Sequence, residues 1–115
     1  MLSLLLPYPP SVNTYWGFQG SRRFLTKKAV LFKSEVLLRF ADSKHKGFGI
    51  ARLDIDIILF PPDKRRRDID NVIKSLLDSL SGSAFDDDCQ IDRLVVTRSE
   101  VLKGGSCIVN IINRI

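Results

Sequence analysis

Residues Leu53 to Leu80 read LDIDIILFPPDKRRRDIDNVIKSLLDSL. Leu53, Ile55, Ile57 and Leu59 alternate with Arg52, Asp54, Asp56 and Ile58, the period of two that marks a half-buried strand. Pro61-Pro62 ends the strand, because proline fixes φ and has no N–H to give a ladder. Beyond the cations, Ile69, Val72, Ile73, Leu76, Leu77 and Leu80 fall at i, i+3, i+4, i+7, i+8 and i+11, which is one apolar face of a helix. Ser81-Gly82 stops that helix. A strand and a helix joined by a charged loop predict a helix packed on a sheet.

Working outward, Leu2 to Leu6 reads as a buried strand, and Pro7-Tyr8-Pro9-Pro10-Ser11 forces an extended exit from it. From Ser11 to Leu25, aromatics, cations and glycines show no helical or strand period, so a long loop suited to bases and phosphates is expected. Thr26 caps a second helix whose stripe is Val30, Phe32, Val36, Leu37, Phe40 and Ala41, broadened by Leu31 and Leu38 and fading from Asp42 to Gly49. His45, in that polar stretch, is read as solvent-exposed. After Asp86-Asp87-Asp88, the segments Leu94 to Val101 and Ser106 to Ile112 are β-rich and read as a terminal hairpin around Lys103-Gly104-Gly105. The order β-α-β-α-β-β predicts an α+β fold: one two-layer domain over residues 1–115, with a mixed sheet carrying two helices on one face. Strand order stays open.

A chain of 115 residues suffices for one core, burying roughly two thirds of the unfolded surface. The net charge of +5 coexists with 13 acidic residues, so the concentration of cations at Lys64, Arg65, Arg66 and Arg67 matters more than the total. Cys89 and Cys107 form no Cys-x-x-Cys pair, which argues against zinc and redox motifs and for free thiols in a reducing compartment. The Leu2 to Leu6 run is too short for a signal-peptide core, and no stretch approaches membrane-spanning length; a soluble, cytoplasmic protein without a membrane partner is expected.

The cation run abuts two groups of carboxylates. Asp68 is a natural N-cap and Asp70 sits at the positive end of the helix dipole, effects that account for both at roughly a kcal/mol each or less. They do not account for Asp86 to Asp88, which repel one another. Four adjacent cations attract a polyanion, and converging carboxylates repel one unless a metal neutralises them, so the combination points to a metal-dependent nuclease. If Asp87 or Asp88 returns beside Asp68 and Asp70, their oxygens suit Mg²⁺ or Mn²⁺ and not zinc. Lys74 follows Asp70 by four residues on the polar helix face, where an ammonium either pairs with a neighbour or holds a phosphate oxygen; Asn71 adds a polar contact. A non-catalytic junction-binding or branched-DNA-binding protein is the alternative. A phosphatase or nucleotide hydrolase is disfavoured because no glycine-rich phosphate loop is present.

Four segments together give a family. Pro9-Pro10-Ser11-Val12-Asn13-Thr14-Tyr15, Arg65-Arg66-Arg67-Asp68-Ile69-Asp70-Asn71 with Lys74, Phe85-Asp86-Asp87-Asp88-Cys89-Gln90-Ile91 and Lys103-Gly104-Gly105 make the chain resemble the RusA family of Holliday-junction resolvases, small bacterial and phage endonucleases that cut four-way DNA junctions. The resemblance implies a Mg²⁺-dependent homodimer making paired, symmetric nicks. It implies Asp68, Asp70 and Asp88 as metal-binding carboxylates, Asp87 as an adjacent acidic partner, Lys74 as a catalytic cation, and Asn13 as support for junction binding. Asp86 departs from the family pattern, where a hydrophobic residue is commoner.

Overall fold

A computed structural model describes residues 1–114. Its centre is β4 (Leu53–Phe60), the strand whose alternation was plainest. Leu53, Ile55, Ile57 and Leu59 all turn into the core. On one side β4 pairs antiparallel with β6 (Ser106–Asn113), and on the other it pairs parallel with β5 (Ile91–Arg98). β6 pairs in turn with β1 (Leu2–Leu6), so the four-stranded mixed sheet runs β1-β6-β4-β5. Parallel neighbours need a crossover rather than a tight turn, and the cation loop with α3 (Ile73–Leu80) provides it. Leu76 and Leu80 of α3 join Phe32 and Val36 of α2 (Lys27–Ser43) and the inward residues of β1, β4 and β6 in one core. The expected two-layer α+β domain is present, with both long helices on one sheet face.

The terminal hairpin is not. β5 and β6 are separated by β4, which thereby gains a partner on both edges. A connection from Ser99 to Gly105 is long enough to pass over the end of β4, and it is held there by Ser99 N–H to the Leu59 carbonyl (2.8 Å) and Leu102 N–H to the Pro61 carbonyl (2.9 Å). Glycine pairs mark a turn without saying whether the strands it joins are neighbours.

The segment from Ser11 to Leu25 is also more ordered than expected. It holds a short helix, α1 (Val12–Tyr15), and a hairpin of β2 (Trp16–Gln19) and β3 (Arg22–Leu25). Gln19 pairs with Arg22 across Gly20-Ser21, and Gly20 takes the left-handed φ of 62° that a two-residue turn demands. Gly-Ser between short runs was the available signal. In α2, Thr26 Oγ1 accepts from the Ala29 N–H as expected, but only Ala29, Phe32 and Val36 are buried; Val30 and Leu37, assigned to the stripe, are exposed. His45 is half-buried rather than exposed: its ring lies 4.6 Å from that of Phe48 and its Nδ1 accepts the Gly47 N–H at 2.8 Å.

Candidate functional site

The N-terminal proline segment and the cation loop meet over α3, and two serines of that helix explain how. Ser75 Oγ donates to the Pro10 carbonyl, while Tyr15, fully buried, hydrogen-bonds through its hydroxyl to Ser79 Oγ at 2.9 Å. Ser79 Oγ itself donates to the Ser75 carbonyl at 2.8 Å. Burial raises the Tyr15 phenol above its ordinary pKa, so it stays neutral in this chain of hydroxyls. Gly105 completes the seat. Its φ is +71°, and a Cβ there would come within 2.9 Å of Tyr8 Cβ and 3.1 Å of Pro62 Cδ.

Asp63 divides the cation run. One of its oxygens accepts the Arg65 N–H at 2.9 Å and the Arg67 guanidinium at 2.7 Å. The Arg67 bond, followed by the Arg65 N–H, holds the Asp63 carboxyl well below the usual carboxylate range. Arg67 is 19% exposed and also donates to the Asp63 and Arg65 carbonyls, so it serves the loop. Arg65 reaches Asp63 only loosely, at 3.3 Å. Lys64 and Arg66 form no ion pair among the described residues and are exposed. Of the expected phosphate cations, these two are free and Arg67 is committed. A cavity of about 450 Å³ opens between Pro10, Ser11 and Thr14 on one side and Arg66, Asp68 and Asn71 on the other. Asn13 is exposed on α1 and does not line it, although Ser11 and Thr14 do.

Asp68 occupies the N-cap position but its side chain makes no capping bond, a correction to the capping expectation. The helix instead begins as a 3-10 turn over Ile69–Val72, with Asn71 N–H on the Asp68 carbonyl at 3.2 Å. Asp68 and Asp70 are both solvent-exposed. Asp88 does return to α3. Lys74 Nζ lies 2.7 Å from Asp88 Oδ2 and 3.1 Å from Asp78 Oδ1. The hydrogen bond from Lys74 lowers the Asp88 pKa, and the bonds Lys74 donates to Asp88 and then Asp78 raise its own; partial burial opposes both shifts. Asp78, one helical turn beyond Lys74, is the other half of the Lys74 clamp.

Gln90 fixes the acidic loop. It is 4% exposed; its Oε1 accepts the N–H groups of Asp86 (3.1 Å) and Asp87 (2.9 Å), and its Nε2 donates to the carbonyls of Gly49 (2.8 Å) and Ala51 (2.6 Å). Asp87 and Gln90 have the Asp-x-x-Gln spacing of a capping box, the signal that would have identified Gln90.

The metal expectation can be tested against these donors. Asp68, Asp70, Asp87 and Asp88 offer only hard carboxylate oxygens, which fit Mg²⁺ or Mn²⁺ in kind. No group of three or more His, Cys, Asp or Glu side chains among the described residues is gathered closely enough to hold an ion, and the cation beside Asp88 is Lys74.

Comparison with known proteins covers all the segments that build these features. The family described as Endodeoxyribonuclease RusA matches residues 7–111. A protein of Enterobacteria phage HK97 named crossover junction endodeoxyribonuclease rusA is 42% identical over 102 residues, covering 88% of this chain and 85% of its own. Proteins of that name from Escherichia coli (strain K12) and Shigella sonnei (strain Ss046) are each 33% identical over 105 residues, covering 90% of this chain and 87% of their own. No helix among the described residues is long and apolar enough to cross a membrane. Since the match spans the proline segment, the cation loop, the acidic loop and the glycine turn that the fold brings together, the chain belongs to the RusA endodeoxyribonuclease family.

Proposed function

We propose that this protein is a structure-specific endonuclease that resolves four-way branched DNA by paired, symmetric nicks, using Mg²⁺ or Mn²⁺, as a homodimer serving recombination and repair in the bacterial cytoplasm. The observation that carries the reading is the cavity that sets Arg66, free of any ion pair among the described residues, against Asp68 and Asn71 in a chain of this family. Lys64 and Arg66 hold phosphates flanking the cut, and Asn71 contributes a polar contact. Asp68, Asp70 and Asp88, with Asp87 adjacent, suit the divalent ion by donor chemistry and would have to close around it, since no three of them are gathered here; the ion would activate water and offset phosphate charge. Lys74, oriented by Asp78 at 3.1 Å, supplies a fixed ammonium for the oxygen on which charge develops. A homodimer suits a substrate with equivalent strands, and one face of the sheet, bearing Leu5, Ile58, Ile108 and Ile112, has no covering layer among the described residues.

The test compares a labelled four-way junction with linear duplex of the same sequence, in Mg²⁺ and in EDTA, with Asp70→Asn as control. Paired nicks confined to the junction and to Mg²⁺, with cleavage abolished and binding retained in Asp70→Asn, support the proposal. Tight junction binding without cleavage under any metal condition replaces it with the alternative, a non-catalytic branched-DNA binder.

A further inference from the structure

The β2–β3 hairpin carries more exposed aromatic surface than its own packing uses. Cross-strand partners share a face, so Trp16, Phe18, Arg23 and Leu25 lie on one side of it. Arg23 lies over the Trp16 ring with its guanidinium carbon 3.8 Å from the centroid, and the Tyr15 ring meets Trp16 edge-on at 5.2 Å. On the opposite side Phe24 folds over Gly17, where a Cβ would come within 2.5 Å of its ring. Phe18 has no such seat and is 70% exposed.

This face borders a cavity of about 360 Å³ between the hairpin, α2 and α3, lined by Trp16, Arg23, Lys33, Lys74 and Asp78 among others. Its charge is one-sided. Asp78 is occupied by Lys74, whereas Lys33 and Arg23 form no ion pair among the described residues. A guanidinium stacked on indole presents a flat cationic platform of the kind on which nucleobases stack, and the neighbouring ammonium of Lys33 suits a phosphate. The cavity shares Lys74 with the carboxylate site, so a strand leaving that site reaches it directly.

We propose that this cavity is a nucleotide subsite that takes an unpaired base of branched DNA, stacked on the Trp16–Arg23 platform with Phe18 as an outer wedge and the adjoining phosphate on Lys33. The proposal rests on the nuclease reading above and adds a position for a base that duplex DNA would keep stacked. A blunt duplex cannot fill the subsite without paying to unstack a base.

Trp16 is the sole tryptophan, so its emission reports the subsite alone. Asp70→Asn protein in EDTA is titrated with a fluorescein-labelled four-way junction, an oligo-dT single strand and a blunt duplex, reading label anisotropy for binding and Trp16 emission for occupancy. The expected result is strong quenching by junction and single strand at the concentrations that saturate anisotropy, and little by duplex. Phe18→Ala, an exposed change that spares the fold, should weaken junction binding about five- to tenfold and leave duplex binding unchanged. Saturated anisotropy with unchanged Trp16 emission would overturn the subsite while leaving DNA binding intact, as would equal quenching by blunt duplex. No anisotropy change with any DNA would overturn both the subsite and the nuclease reading.

Discussion

Replacing Gln90 with methionine keeps side-chain volume and removes the amide that ties the acidic loop to the chain before β4. Four hydrogen bonds are lost, but not equally. Asp86 N–H keeps the Gly49 carbonyl at 3.1 Å, and exposed Asp87 allows water to reach its own N–H. The Gly49 carbonyl likewise keeps the Asp86 N–H, so the group left without its partner is the half-buried Ala51 carbonyl, at about 1–3 kcal/mol. A cost of about 1–3 kcal/mol follows, which for a chain of this size lowers Tm by about 4–12 °C. Thermal melts followed by circular dichroism measure it. A second consequence separates position from stability: Asp88 lies two residues from Gln90, so at a temperature where the variant is fully folded, cleavage should still fall about 10- to 100-fold, as misplaced catalytic groups do. A Tm within 2 °C of the parent, roughly what 0.5 kcal/mol would produce, refutes the structural assignment; full activity in a destabilised variant refutes the positioning one.

Lys74→Met should return the Asp88 pKa upward toward the ordinary carboxylate range, read by carboxyl ¹³C titration; an unmoved midpoint would show that Lys74 is not its cause. Because the Asp88 pKa is depressed in the folded state, the pair's stabilisation is present above the unfolded value of about 4 and is lost as pH falls through the folded one, so the parent should lose more stability on acidification than the variant. Arg66→Ala should weaken junction binding and reduce its salt slope by about one, leaving Tm unchanged; an unchanged slope excludes a phosphate contact there. Arg67→Ala should do the reverse, lowering Tm by removing the guanidinium that ties the Asp63 carboxylate to the Asp63 and Arg65 carbonyls while barely moving the salt slope, and a large loss of slope would place Arg67 on DNA instead.

What could be read in advance was what periodicity encodes. The β4 alternation and the α3 stripe gave the sheet face and its covering helix because burying one side of a strand or helix leaves a repeat in the sequence. The order of strands left no such trace, since the Ser99 to Gly105 connection has the same glycines whether it joins neighbours or spans β4. The stripe of α2 was overcounted because Val30 and Leu37 fit the helical period as well as Phe32 and Val36 do, and only the position of the sheet decides between them.

The site was legible as a charge problem and not as a geometry. From sequence alone, Asp86 to Asp88 demanded a neutralising cation, and a metal ion was the candidate offered. The fold supplies a cation from within: Lys74, clamped by Asp78, bonds Asp88, and Gln90 holds the loop where that bond can form. The same arithmetic explains the cation run. Asp63 takes up Arg67, so the loop keeps its shape without neutralising Lys64 and Arg66, which stay available for a polyanion. Asp63 and Asp88 thus each have an arginine or a lysine assigned to them, and cations left over border the cavities: Arg66 beside Asp68, Arg23 and Lys33 beside Trp16. A phosphodiester backbone approaching α3 would therefore meet unpaired positive charge beside the exposed carboxylates of Asp68 and Asp70, which offsets the repulsion an anionic substrate finds at an acidic centre.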